Sequence, residues 1–279
     1  MISPLYTFLL GILQGITEFL PVSSSGHLVL AQHFLHIQKQ SLLLDIWLHF
    51  GTLLAIFVVL YRPILRLLKG AREGVHYGFS HPLQFIRGPE GQNTYLLLLI
   101  IIATVPTALI GFLFKDTFEQ LFEGNLLLVG LAFLFTALLL FLTKFKKESR
   151  PSGGIGITPL QALAIGTIQG IAIIPGVSRS GSTIALALLL GIGRKEAGEF
   201  SFLIVIPAIL GAMILETFHG TTTLRVDQFL LPATIGMMAA WGIGILALKG
   251  LLSLVNHGRI YSFAYYCLCI GGLTLWIGR

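Results

Sequence analysis

The sequence predicts an all-α integral membrane protein with about six transmembrane helices and two re-entrant helical hairpins arranged as inverted-topology repeats. Three observations lead there: an apolar composition with sparse charge, several apolar stretches of roughly 20 residues, and two polar, proline-containing breaks that match at one fixed shift. Of 279 residues, 55% are hydrophobic and only 11% charged, against about 25% charged in soluble domains. The mean hydropathy is +0.87. A helix rising about 1.5 Å per residue crosses roughly 30 Å of hydrocarbon in about 20 residues. Residues 1–279 therefore read as a single membrane domain.

The formal charge of +6 and pI near 9.5 do not indicate a nucleic-acid partner, because the basic residues lie in short connections and act as topology signals. A cleavable signal peptide is not expected. Residues 1–10 lack a basic start, and the apolar run continues into Glu18 and Pro21 rather than a small-residue cleavage site. Cys267 and Cys269 are two apart in an apolar run, so on a helix they diverge and read as packing residues.

Taken in order, the first apolar region, 4–36, is long enough to enter the membrane but is broken at Leu20-Pro21-Val22-Ser23-Ser24-Ser25-Gly26-His27. Spans are expected at 42–62, 94–114 and 124–144. Region 158–191 is again broken, at Pro175-Gly176-Val177-Ser178-Arg179-Ser180-Gly181-Ser182-Thr183, and spans follow at 197–217, 229–250 and 260–278. Non-helical backbone survives at membrane depth only where protein or a wet cavity satisfies its polar groups, so each broken region is expected to be a re-entrant hairpin.

A shift of 155 residues superposes Gly11-Ile12-Leu13-Gln14-Gly15-Ile16 on Gly166-Thr167-Ile168-Gln169-Gly170-Ile171, and Val22, Ser23, Ser25 and Gly26 on Val177, Ser178, Ser180 and Gly181. Matched Gln, Gly and Ser on both sides of a helix break indicate a duplication, with repeat one at about 1–145 and repeat two at about 156–279. One hairpin and three spans give each half an odd number of crossings, which inverts the halves relative to each other. Arg62, Arg66, Lys69, Arg72, Arg87, Lys144, Lys146, Lys147, Arg150, Arg194, Lys195, Lys249 and Arg259 fall on one side. The loop at 115–123 opposes Lys115 with Asp116, Glu119 and Glu123. The positive-inside rule makes the basic side cytoplasmic and both termini external, and the hairpin tips are expected to meet near the midplane.

Glu18, His27 and Arg179 lie in or beside apolar runs, where a charge costs about 2.5–3.5 kcal/mol on insertion scales. The structural alternative is a Glu18–Arg179 ion pair across the repeat interface with His27 as a packing residue. It leaves the nearby hydroxyls of Ser23, Ser24, Ser25, Ser178, Ser180, Ser182 and Thr183 without a role. An oxyanion site uses them. Helices restarting after each break present free N–H groups and a positive dipole end, and Arg179 adds a forked donor for phosphoryl oxygens, with Ser178, Ser180 and Thr183 beside it. Gln14 and Glu18 share a helix face, which suits a divalent cation or an oriented proton donor. Ser24 and His27 are three apart, within reach for His27 to serve as acid or base.

These motifs resemble those of the undecaprenyl-diphosphate phosphatase family, the integral enzymes of bacterial inner membranes linked to bacitracin resistance. Residues 14–27, from Gln14 to His27, resemble the family's first motif, residues 175–183 its second, and Glu199-Phe200-Ser201-Phe202-Leu203 the stretch that follows. The resemblance implies hydrolysis of the terminal phosphate of a C55 isoprenyl diphosphate, recycling the lipid carrier for cell-wall synthesis. It implies Ser24 as nucleophile, His27 in proton transfer, Arg179 on the phosphoryl group and Glu18 supporting a metal or the proton network. Ser23, Ser25, Ser178, Ser180 and Thr183 are then phosphate-binding or supporting residues. Gln14 stands where many members carry Glu, which weakens a dedicated Mg²⁺ or Ca²⁺ site on Glu18 and Gln14. The expected partners are the isoprenyl diphosphate, membrane lipids and, at most, a second copy of the chain, with the site opening to the external leaflet. A lipid-phosphate flippase using the same anion site is the rival reading.

Overall fold

A computed structural model of the protein describes residues 3–35, 42–77, 91–122, 125–146, 156–219 and 226–279. Among these residues the regular structure is helical, without strands. The helices are α1 (Pro4–Thr17), α2 (Ser24–Leu35), α3 (Leu42–Val59), α4 (Tyr61–Tyr77), α5 (Gln92–Phe122), α6 (Leu126–Leu142), α7 (Pro159–Ile171), α8 (Arg179–Leu189), α9 (Arg194–Leu203), α10 (Val205–His219), α11 (Val226–Asn256) and α12 (Ser262–Ile277).

Four segments are long and apolar enough to cross a membrane: Gln92–Phe114, Leu126–Phe145, Arg194–Leu215 and Phe229–Asn256. They correspond to four of the six expected spans. The expected span at 42–62 ends instead in an 83° bend between α3 and α4, giving a fifth span if the pair counts as one. The physical cause is the residue pattern beyond the bend. Arg62, Arg66, Lys69 and Glu73 recur at helical spacing, and carrying that stripe into hydrocarbon costs about 2.5–3.5 kcal/mol per Arg or Lys. The chain turns and runs on as an amphipathic helix, held to α5 by the Thr94 hydroxyl, which donates to the Gly70 carbonyl at 2.8 Å. The sixth expected span, 260–278, is the 16-residue α12, about 24 Å long at 1.5 Å per residue.

Both broken regions fold as helix–break–helix. α1 stops at Thr17 and α2 starts at Ser24; α7 stops at Ile171 and α8 starts at Arg179. α1 lies along α11, and α7 lies along α5. The reason is side-chain size: a Cβ on Gly11 would overlap the Gly236 carbonyl oxygen, and one on Gly166 the Ala103 carbonyl oxygen. Glycine at these crossings lets helix backbones touch where no hydrophobic force drives association. α6 packs on α12, and α3 on α11. Leu53, Ile56, Leu99, Ile165, Ile184 and Leu251 fill the shared core, while Leu109, Phe112, Leu138, Leu246 and Trp276 point outward.

Arg66 donates to Glu199 at 2.9 Å, and Arg194 to the Asn256 carbonyl at 3.5 Å. The first turns of α4, helix α9 and the end of α11 therefore share one face, the one that carries most of the basic connections. Arg87, Glu123, Lys147 and Arg150 lie outside the described residues, as do the side chains of Lys115, Asp116 and Glu119.

Candidate functional site

The two breaks meet tip to tip. Ser23 adopts a left-handed φ of 65°, a conformation that costs a non-glycine residue about 1–3 kcal/mol and is kept where surroundings enforce it. Its Oγ accepts from Gly26 N at 3.2 Å, capping the start of α2, and from Gly176 N at 3.1 Å, bonding the second break to the first. In the second break Ser178 Oγ accepts from Gly181 N at 3.1 Å, the same cap 155 residues later. It receives no counterpart of the Gly176 bond, because the position matching Gly176 is Pro21, which has no N–H. A Cβ on Gly26 would lie 2.8 Å from Gly176 Cα, and one on Gly181 3.1 Å from Pro21 Cβ. The contact is thus made twice, once in each direction.

Glu18 sits at the centre, its side chain only 4% exposed. Its N–H bonds back to Gln14 O at 2.9 Å, and the adjoining Phe19 is buried edge-on against Phe202 with ring centroids 5.8 Å apart, so backbone and neighbour fix the carboxylate. Arg179 Nη2 donates to Oε1. Ser24 Oγ and Gln14 Nε2 each donate to Oε2 at 3.1 Å, and His49 Nε2 stands 3.9 Å from the same oxygen. His49, on α3, has its Nδ1 2.9 Å from the Asp45 carbonyl and 3.5 Å from the Asp45 carboxylate. Arg179 keeps 24% of its side chain exposed, so the guanidinium can meet an incoming anion that the covered carboxylate cannot.

His27 is engaged elsewhere. Its Nδ1 lies 2.7 Å from Ser23 O, its Nε2 lies 2.7 Å from Tyr266 Oη, and its ring stacks on Tyr266. Ser24, three residues earlier, bonds to Glu18. Ser25 Oγ lies 3.4 Å from Ser23 Oγ, Ser180 Oγ is 3.3 Å from Ser178 Oγ and donates to Leu20 O at 3.2 Å, and Thr183 Oγ1 donates to Arg179 O at 2.9 Å. Of the sequence-derived candidates, the fold gathers Gln14, Glu18, Ser24 and Arg179 around one carboxylate. It places Ser23, Ser178, Ser180 and Thr183 in the framework that holds the helix starts.

Three residues at the site escaped the sequence reading. Asp45 and His49 carried a signal, being ionisable residues four apart in an apolar run, the criterion that singled out Glu18. Tyr266 carried none, as one of several aromatics in α12.

As cation ligands, Glu18 and the Gln14 amide oxygen amount to one charge and two side chains, and the described residues contain no group of three His, Cys, Asp or Glu side chains arranged for a metal. Mg²⁺ is commonly held by one or two carboxylates plus substrate phosphates and water. The donor set fits that shared arrangement and not a cage built by the protein alone.

Three relatives match almost end to end. An undecaprenyl-diphosphatase of Desulfosudis oleivorans is 43% identical over 99% of this chain and 99% of its own. One of Desulfatibacillum aliphaticivorans is 41% identical over 96% of both chains, and one of Methanosphaera stadtmanae 40% identical over 99% of this chain and 98% of its own. The family model for the bacitracin resistance protein BacA matches residues 7–273. With a family match across nearly the whole length and relatives of this identity, the chain belongs to the BacA family of membrane proteins.

Proposed function

We propose that the chain is an undecaprenyl-diphosphatase, hydrolysing undecaprenyl diphosphate to undecaprenyl phosphate and inorganic phosphate. The observation that carries this reading is the convergence of a hydroxyl, Ser24, and a guanidinium, Arg179, on the Glu18 carboxylate, each from the first residue of a restarted helix. Arg179 leaves Glu18 for the terminal phosphoryl group, whose greater negative charge competes for the guanidinium. Ser24 Oγ attacks the terminal phosphorus as its proton passes to Glu18, the anhydride P–O bond breaks, and the lipid monophosphate departs. Glu18 then gives up that proton to solvent, and water attacks the phosphoseryl group with the freed carboxylate as base; the Ser24 Oγ–P bond breaks, inorganic phosphate leaves, and the proton Glu18 takes from the water returns to Ser24 Oγ. His27 supplies proton transfer at the leaving oxygen once substrate separates it from Tyr266. A Mg²⁺ shared between Glu18, the Gln14 amide oxygen and the diphosphate would neutralise phosphate charge. Phosphoryl transfer is governed by positioning and charge stabilisation, and first-turn N–H groups of α2 and α8 not taken by the Ser23 and Ser178 caps are further partners for phosphate.

The same proposal includes six spans and two hairpins in inverted repeats. The paired contacts Gly26–Gly176 and Gly181–Pro21, and the matching passages of α1 along α11 and α7 along α5, support it. With the basic face cytoplasmic, the first hairpin enters from the external side of a bacterial inner membrane, and substrate reaches Glu18 from the external leaflet.

Phosphate release from a long-chain prenyl diphosphate by the detergent-solubilised protein tests the activity. Release that depends on Arg179 and Glu18 is expected. Absence of release from any lipid diphosphate, together with lipid-phosphate movement across vesicles, favours the flippase instead. Single cysteines near position 25 that label only from the cytoplasmic side would reverse the orientation.

A further inference from the structure

We infer that an open cavity of about 540 Å³ between α3, α4, α9 and α11 is a second anion site that takes a phosphate-bearing head group. Its polar lining is Tyr61, Arg62, Arg66, Lys195, Glu199 and Asn256. Three cations face one carboxylate. Arg66 is paired with Glu199 at 2.9 Å, whereas Arg62 rests on the Tyr61 ring and hydroxyl. Among the described residues, neither Arg62 nor Lys195 has a carboxylate within ion-pair distance. The cavity thus presents two uncompensated positive charges around a fixed pair, with the Tyr61 hydroxyl and the Asn256 amide as neutral partners. That composition suits a phosphate and disfavours a cation or an apolar group.

Position in the fold favours a lipid phosphate. The cavity opens at the 83° bend, where α3 ends and amphipathic α4 begins with Leu65 and Leu68 exposed, the depth at which a head group sits beside its own acyl chains. It is also distinct from Glu18. His49 and Val59 are both on α3, and their separation of ten positions places the cavity about 15 Å along the helix from the Glu18 site at 1.5 Å per residue. α9 borders both places: Phe202 packs on Phe19 next to Glu18, and Glu199 anchors Arg66 in the cavity. The third motif of the sequence, Glu199 to Leu203, acquires a role in this way, as the wall between two anion sites.

The test measures binding of phosphatidylglycerol and of zwitterionic phosphatidylcholine to the full-length protein in neutral detergent by native mass spectrometry. The proteins compared are the natural chain, R62Q/K195Q and the charge-keeping R62K/K195R. The expected result is a loss of phosphatidylglycerol affinity of about tenfold or more in R62Q/K195Q, retention in R62K/K195R, and unchanged phosphatidylcholine binding and prenyl-diphosphate hydrolysis. Displacement of phosphatidylglycerol by millimolar inorganic phosphate would identify free phosphate as a ligand of the same site, and failure to displace it would identify the lipid. Undiminished phosphatidylglycerol binding by a folded R62Q/K195Q protein, with the natural thermal unfolding profile, overturns the proposal. If R62Q/K195Q does not fold, R62Q and K195Q singly, each expected to weaken phosphatidylglycerol selectively, take its place, and equal affinity in both overturns it.

Discussion

Arg179 donates to Glu18 across 161 positions of sequence, from the first residue of one restarted helix to the break in front of another. The shift that relates the two breaks carries Glu18 onto Ile173 and Ser24 onto Arg179. Of the two positions matched by the shift, 18 and 173, only the first holds a carboxylate. Ser24 and Arg179, equivalent by position and different in chemistry, both turn to it. The two breaks share a sequence pattern and differ in the side chains they bring to this point, and the consequences of that difference can be measured.

Replacing Arg179 with Ala removes the guanidinium proposed to bind the phosphoryl group and leaves Glu18 as a covered carboxylate without that cation. Steady-state phosphate release should fall by about 10²–10³ in kcat/KM. Arg179→Lys should recover little, because an ammonium cannot reproduce the forked geometry. Full activity in Arg179→Ala would sink the site assignment.

Ser24→Ala separates covalent attack from attack by water. With Ser24 as nucleophile, kcat should drop by at least about 10²-fold and acid-quenched protein should no longer contain phosphoserine. Persistent turnover in Ser24→Ala alongside inactive Glu18→Gln and His27→Ala assigns the attack to water activated at Glu18.

His49 bears on Glu18 Oε2 from 3.9 Å and is oriented by Asp45. His49→Leu should lower kcat by about tenfold or more through the loss of that orienting group, with KM little changed and His49→Gln closer to the natural protein. Equal kcat values for all three would assign His49 to packing.

Gln14→Glu adds a second carboxylate one helical turn from Glu18. Activity in this variant should rise with Mg²⁺ more steeply, and fall further on chelation, than in the natural protein. Identical Mg²⁺ titrations would show that Gln14 takes no part in holding a cation.

Gly11→Ala forces a methyl group against the Gly236 carbonyl and should destabilise by about 1–3 kcal/mol as overpacking does. A Cβ at Gly250 meets nothing within 4 Å, so Gly250→Ala should be neutral or gain up to about 1 kcal/mol of helix propensity. Thermal unfolding in detergent reads both, and equal midpoints would count against the close helix crossing.

Composition and apolar run length were enough to make the chain an all-α, multi-pass membrane protein, because hydrocarbon imposes length and polarity rules that act on local sequence. The fixed shift between the breaks was equally legible, since Gln14, Gly15, Ser23 and Gly26 recur unchanged at Gln169, Gly170, Ser178 and Gly181. Sequence also marked Glu18, Ser24 and Arg179, whose polarity stands out against apolar neighbours. It did not reveal the bend after Val59, which depends on a charged stripe meeting the membrane boundary. Nor did spacing foresee that Ser24 turns to Glu18 while His27 turns to Tyr266: a separation of three positions on a helix places His27 within reach of a serine or a leaving oxygen without deciding which partner each takes. The groups around them come from elsewhere: Tyr266, against His27, from α12; Arg179, which shares Glu18 with Ser24, from α8; and His49 from α3. Such convergence depends on how helices cross, and here glycines at 11, 166 and 176 bring the backbones together. Local pattern defines which residues are expensive in a membrane; tertiary packing decides which of them share that cost.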